Sequence, residues 1–92
     1  MSVGKEMRCY TAIVHKDEGS ALGLTFLDLP GCFAAADGWA DVQRAAVEAL
    51  DLWFEDAEDV EPEALDVIRA RPEVQAQIAA GATSVTVPWR RR

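Results

Sequence analysis

Leu22-Gly23-Leu24-Thr25-Phe26-Leu27-Asp28-Leu29-Pro30-Gly31-Cys32-Phe33-Ala34-Ala35-Ala36 decides the fold, because it holds two short strands and the turn that reverses the chain between them. Leu22, Leu24 and Phe26 alternate with Gly23, Thr25 and Leu27, the period of two that puts one side of a strand in a core. Asp28-Leu29-Pro30-Gly31 breaks the alternation. Proline sets φ at about −65° and glycine accepts the positive φ that follows, so Pro30 and Gly31 suit the central positions of a type II turn. The chain then runs back as a third strand over 32–36.

Working outward, Met7 to His15 is rich in β-formers, Tyr10, Thr11, Ile13 and Val14, and ends in the turn-forming Lys16-Asp17-Glu18-Gly19-Ser20. This is a first strand and a hairpin loop. On the other side, Asp37-Gly38 ends the third strand, and Gly38 is an acceptable helix N-cap with Asp41 three residues on. A helix is expected from about Trp39, with Val42, Ala46, Ala49, Leu50, Trp53 and Ala57 on one face at steps of three and four. Asp51, Glu55, Asp56, Glu58, Asp59, Glu61 and Glu63 crowd its far end, where negative charge opposes the helix dipole, so the helix should stop near Asp59. Pro62 fits the first turn of a second helix carrying Leu65, Val67 and Ile68, and Pro72 interrupts it. The stretch from Pro72 to Ala80 carries Val74, Ile78 and Ala79 and ends at Gly81, a left-handed stop. Ser84-Val85-Thr86-Val87 is a fourth strand, closed by Pro88 and Trp89.

The order β-β-β-α-α-β predicts a two-layer α+β domain: a three-stranded antiparallel meander, a helical crossover over one sheet face, and a fourth strand lying parallel to the first. One domain is expected over 1–92, with 7–89 as its ordered core and 1–6 and 90–92 as tails. If only one face is covered, Trp39, Val47, Phe54 and Trp89 are more apolar surface than the core needs, which makes them the expected oligomer interface.

Half of the 92 residues are hydrophobic. So short a chain buries only about 60–65% of the surface of its unfolded form, and association into a homodimer or larger oligomer adds to that. Sixteen acidic against nine basic side chains give a net charge of −7, which repels phosphate backbones and favours a basic protein partner. Direct nucleic-acid binding is not expected. No apolar run approaches the ~20 residues that span a bilayer, and the start has no charged-then-apolar leader pattern, so the expected location is cytoplasmic, with no membrane partner. Cys9 and Cys32 lack a metal-ligand or CxxC spacing and read as reduced core thiols.

A catalytic set does not assemble. Two-metal phosphodiester chemistry needs several carboxylates converging on cations about 3.5–4 Å apart. Asp28 sits at a turn, Asp37 at a strand exit and the Asp51 to Asp59 group on a helix surface, while the first strand offers Arg8, Tyr10 and Thr11. His15 is the one histidine, at a strand end. No catalytic, metal-binding or cofactor-binding residue is expected.

Leu27-Asp28-Leu29-Pro30-Gly31-Cys32, preceded by Tyr10-Thr11-Ala12 and Leu22-Gly23-Leu24-Thr25-Phe26, resembles the D-L-P-G-C signature and frame of the HicB-like antitoxins. Ala36-Asp37-Gly38, then Asp41-Val42, Ala45-Ala46 and Glu48-Ala49-Leu50, are similar to the cap and helix that follow it. Ile68 to Val74, Gly81-Ala82 and Val85 to Pro88 extend the likeness over nearly the whole chain. The resemblance implies a partial, degraded RNase H-like fold without nuclease activity. It also implies a function as the antitoxin of a type II toxin-antitoxin system, neutralising a small basic HicA-type mRNA interferase by direct binding. Asp28, Leu29, Pro30, Gly31, Asp51, Glu55 and Asp59 are the expected partner-binding residues, joining the turn to the acidic stretch. Many members continue into a ribbon-helix-helix or helix-turn-helix module, whereas this sequence ends at Trp89-Arg90-Arg91-Arg92, so operator binding is not expected of it. The alternatives are a stand-alone protein- or ligand-binding module of the same fold and, at greater distance, a metal-dependent nuclease.

Overall fold

In the computed structural model, which describes residues 7–16, 21–56 and 60–90, β1 (Arg8–Lys16) is the strand on which both layers of packing rest. Tyr10, Ala12 and Val14 point to one face and Thr11 and Ile13 to the other, and all five are buried. β2 (Leu22–Phe26) and β3 (Phe33–Ala36) complete the expected meander, antiparallel throughout, in the registers Val14↔Leu24 and Leu24↔Ala34. A 3-10 turn (Trp39–Asp41) leads into α1 (Val42–Trp53), followed by α2 (Leu65–Arg69), α3 (Pro72–Ala79) and β4 (Thr83–Trp89). The sheet order is β3-β2-β1-β4. The α+β class and the placing of β4 beside β1 agree with the sequence reading, whereas the crossover holds three helices where the order β-β-β-α-α-β allowed two, because Pro72 starts a helix of its own.

Two expectations about the crossover are corrected. First, β4 runs antiparallel to β1, not parallel, with Val14 opposite Thr83 and Arg8 opposite Trp89. Second, the helices do not share one face. Leu22, Leu24, Phe26, Val42, Ala46 and Leu50 join Tyr10, Ala12 and Val14 in the main core under α1. Ile13, one residue out of phase, forms a separate cluster with Ile68 of α2 and Val74 of α3, against which Leu27, Ile78 and Ala82 pack. Both corrections have one cause. α1 carries the chain from the Ala36 end of the sheet to the Pro30 end, where the Trp53 indole N–H donates to the Pro30 carbonyl at 3.0 Å. Glu63, ahead of α2, lies at that same end, where its N–H donates to Asp28 at 3.0 Å, and α2 and α3 return along the reverse face. β4 is therefore entered from the end at which β3 finished, and it must run opposite to β1.

α1 stops at Trp53, short of Asp59. Phe54 caps the helix, its N–H still donating to Leu50 O at 3.0 Å, and its ring stacks on Trp89, ring centres 4.5 Å apart and 18° from parallel, with Tyr10 5.7 Å and Trp53 5.0 Å away. Phe54 and Trp89, expected at an oligomer interface, are thus core residues, 3% and 4% exposed. Val47 is partly buried against the same core, and Trp39 is exposed. The expectation that both cysteines are core thiols holds for Cys32 but not for Cys9, which is exposed. Cys9 faces the reverse side opposite Pro88, outside the cluster that α2 and α3 build around Ile13.

Candidate functional site

The segment 28–31 forms the expected turn. Cys32 N–H donates to Leu29 O at 3.0 Å, closing a four-residue loop with Pro30 and Gly31 at its centre. Gly31 has φ of +82°, the value that the third position of a type II turn requires and that a β-carbon would oppose.

The side chains of this turn divide into those that hold the fold and those that face solvent. Leu29 is fully buried. One oxygen of Asp28 accepts the Glu63 backbone N–H at 3.0 Å, and the other is buried with no hydrogen-bond partner among the described residues. Asp28 thereby ties the turn to the chain that leads into α2. Cys32 lies beneath, its thiol 3.8 Å from the Ala49 carbonyl. Burial, reinforced by the Asp28 charge, pushes that thiol up to about 11, so it is protonated and unreactive at neutral pH. Pro30 and Gly31 are exposed at the tip.

Around this tip the structure gathers the acidic stretch. Asp51 Oδ1 accepts the Trp89 indole N–H at 2.8 Å, so this carboxylate serves the core edge. Glu55, Asp56 and Glu61 are exposed. Glu61 lies 3.5 Å from the Arg8 guanidinium. Glu63 pairs with Arg71, whose side chain also reaches the Leu27 carbonyl at 3.5 Å and Glu73 at 3.9 Å. The Tyr10 hydroxyl donates to Val60 O at 2.5 Å from inside the core. The segment behind the turn is therefore anchored at Val60, Glu61 and Glu63. From Ala45 to Ile68 the sequence holds nine acidic side chains and no lysine or arginine. Among the described residues Asp28, Glu55, Asp56, Glu61 and Glu63 give the rim at this end of the sheet a negative field, into which Arg8 and Arg71 are drawn as counter-charges.

Of the residues expected to meet a partner, Pro30, Gly31 and Glu55 lie on one surface, Asp28 and Asp51 hold internal hydrogen bonds, and Leu29 is interior. Asp59 lies outside the described residues. Trp53 and Arg71, which fasten this surface, are not among the expected site residues. Helical spacing assigns Trp53 to the covered face, and nothing local in the sequence brings Arg71 to Leu27. Among the described residues no group of three or more His, Cys, Asp or Glu side chains is gathered as a metal site. No helix among them is long and apolar enough to cross a membrane.

Residues 10–87 match the family model of the "HicB_like antitoxin of bacterial toxin-antitoxin system". No curated protein matches the chain in sequence. Among solved structures, a chain of the "HicA3 and HicB3 toxin-antitoxin complex" superposes with a TM-score of 0.73 at 20% identity, covering 88% of this chain and 96% of that one. The Burkholderia pseudomallei antitoxin HicB gives 0.67 at 26% identity, covering 87% of this chain and 60% of that one. The N-terminal domain of that antitoxin gives 0.65 at 25% identity, covering 86% and 94%. The chain thus spans nearly all of the N-terminal domain and about three-fifths of the longer antitoxin chain.

Proposed function

This chain belongs to the HicB-like antitoxins of bacterial toxin-antitoxin systems, and from that premise we propose that it neutralises a small basic HicA-type mRNA interferase by direct protein contact, in the cytoplasm, as a homodimer or larger oligomer. The observation that carries this reading is the acidic rim. Glu55, Asp56 and Glu61 stand exposed beside the exposed tip of the Pro30-Gly31 turn, and Trp53, Asp28 and Val60 hold the elements beneath in fixed relation. A rigid surface with one sign of charge steers a basic partner and fixes its orientation. The proposed action is occlusion, with no chemical step on this chain.

The test is co-expression with the product of an adjacent small basic reading frame. Rescue of growth and co-purification are expected. The double variant Glu55→Lys/Asp56→Lys should slow association by roughly tenfold or more and weaken its salt dependence, because exposed charges act mainly on the encounter rate. Equal association rates for the two proteins would overturn the placing of the contact on this rim. Failure of the native chain to bind the toxin would overturn the reading itself.

A further inference from the structure

The four-stranded sheet has two edges that differ in what guards them. β4 contains Pro88, which has no N–H to offer a neighbour, and the Gln43 side-chain amide of α1 donates to its Thr86 carbonyl at 3.3 Å. β3 has no such protection. Its sequence is Phe-Ala-Ala-Ala, without charge or proline, and among the described residues no strand pairs with its outer side. An unguarded edge of this kind is a template for another strand.

The ladder shows which backbone groups point outward. Phe26 N–H donates to Cys32 O at 3.2 Å, and the β2–β3 register continues from this pair through Leu24↔Ala34 to Leu22↔Ala36. Hydrogen-bonded pairs alternate in an antiparallel ladder, so Ala34 and Ala36 turn their backbone groups to β2 while Phe33 and Ala35 turn theirs away. Beside this edge lies a shallow groove between β3 and α1, lined by Ala34, Ala45, Ala49, Glu48 and Leu52. Phe33 and Leu52 are 66% and 68% exposed, two of the largest apolar side chains on the surface.

We propose that the outer edge of β3 is where two copies of this chain join, β3 against β3 about a two-fold axis through Ala34, to form one continuous eight-stranded sheet. This places the self-association proposed above, and rests on it. Charge selects the occupant. Each copy carries −7 and repels another copy over most of its surface, whereas Cys32 to Ala36 is neutral and Glu48 is the single charged side chain lining the groove. A basic partner gains nothing there; a second copy meets least repulsion there. Register follows from the outward groups. Centring the axis on Ala34 sets Phe33 opposite Ala35 of the other copy twice over, so every outward N–H and C=O of these residues is paired. It also sets each large ring beside a methyl group, a cross-strand match of large to small.

The experiment is the solution mass by sedimentation and light scattering of the full chain and two variants, with circular dichroism as the control for folding. Ala35→Pro removes an outward N–H without touching the β2 ladder, and Ala35→Lys places a charge on the edge. Each is expected to halve the native mass while keeping the native spectrum, and Ala35→Lys decides the matter if the proline variant does not fold. Ala34→Cys in a Cys9→Ser background should form a disulfide-linked dimer under mild oxidation, since Cα atoms of facing residues in such a pair stand about 4.5 Å apart. A monomeric native chain would overturn self-association itself. A native oligomer unchanged by both Ala35 substitutions, with the Ala34→Cys variant left uncrosslinked, would overturn the β3 edge and leave self-association standing.

Discussion

Phe54→Ala separates the two roles that this aromatic ring could have. The ring is 3% exposed and touches three others, Tyr10, Trp53 and Trp89, with a stack at 4.5 Å on the last. Truncating a buried phenylalanine costs about 3–5 kcal/mol through lost transfer energy and the cavity left behind. The stacked pair carries roughly 0.5–1.5 kcal/mol beyond its area, which points to the upper half of that range. A domain of this size has a total stability of roughly 5–15 kcal/mol, so the variant should retain a fraction of it. At about 4–8 °C per kcal/mol, Tm should fall by roughly 15–40 °C. Urea unfolding followed by tryptophan fluorescence reads the change directly, because Trp53 and Trp89 both adjoin the deleted ring. Measured at several protein concentrations, the loss should be the same at each, since the ring is inside one protomer. An unfolding free energy within about 0.5 kcal/mol of the native value, together with a halved solution mass, would show the ring to lie between copies and would refute its place in the core.

Gly31→Ala should destabilise the turn by roughly 1–2 kcal/mol, because φ of +82° is strained for any residue with a β-carbon; chemical denaturation checks it, and an unchanged midpoint would remove the type II assignment. Cys9 should react with a thiol reagent at pH 8 within the folded protein while Cys32 does not, since Cys9 is exposed and Cys32 is buried. The Cys32 thiol, raised from 9.0 to about 11 in the fold, adds a stability term that is level below the unfolded value and lost as pH rises from 9 towards 11, because only the unfolded thiol ionises in that window. Denaturation across that range should lose this decline in Cys32→Ala, and an identical pH profile would disprove it. Ile68→Ala should cost about 2–4 kcal/mol and abolish amide protection in α2 and α3 before that of β2 and α1, because Ile68 belongs to the small reverse-face cluster with Ile13 and Val74. Uniform loss of protection on hydrogen exchange would show that the two clusters open as one unit.

Local chemistry made much of this protein readable from its residues. Alternation in Leu22 to Phe26, proline followed by glycine at 30 and 31, the helical spacing from Val42 to Leu50 and the glycine stop at 81 each act within a few residues. The elements and the meander therefore follow from the sequence alone, and the D-L-P-G-C resemblance agrees with the family match. The split of the candidate surface was less legible. Asp28, Asp51 and Glu55 are alike as letters, and only the approach of the Glu63 amide and the Trp89 indole assigns the first two to the fold.

What tertiary structure alone decided was the path from β3 to β4. Periodicity shows that Ile68 and Val74 need a core, but it carries no information on which sheet face supplies one. Ile13 supplies it on the reverse face because β1 points apolar side chains both ways, and a central strand can be covered twice. Once α2 and α3 return along that face, the chain re-enters the sheet from the end at which β3 finished, and β4 must run antiparallel to β1. Burial of Phe54 and Trp89 has the same origin: rings 35 residues apart in sequence meet only because α1 ends where β4 ends.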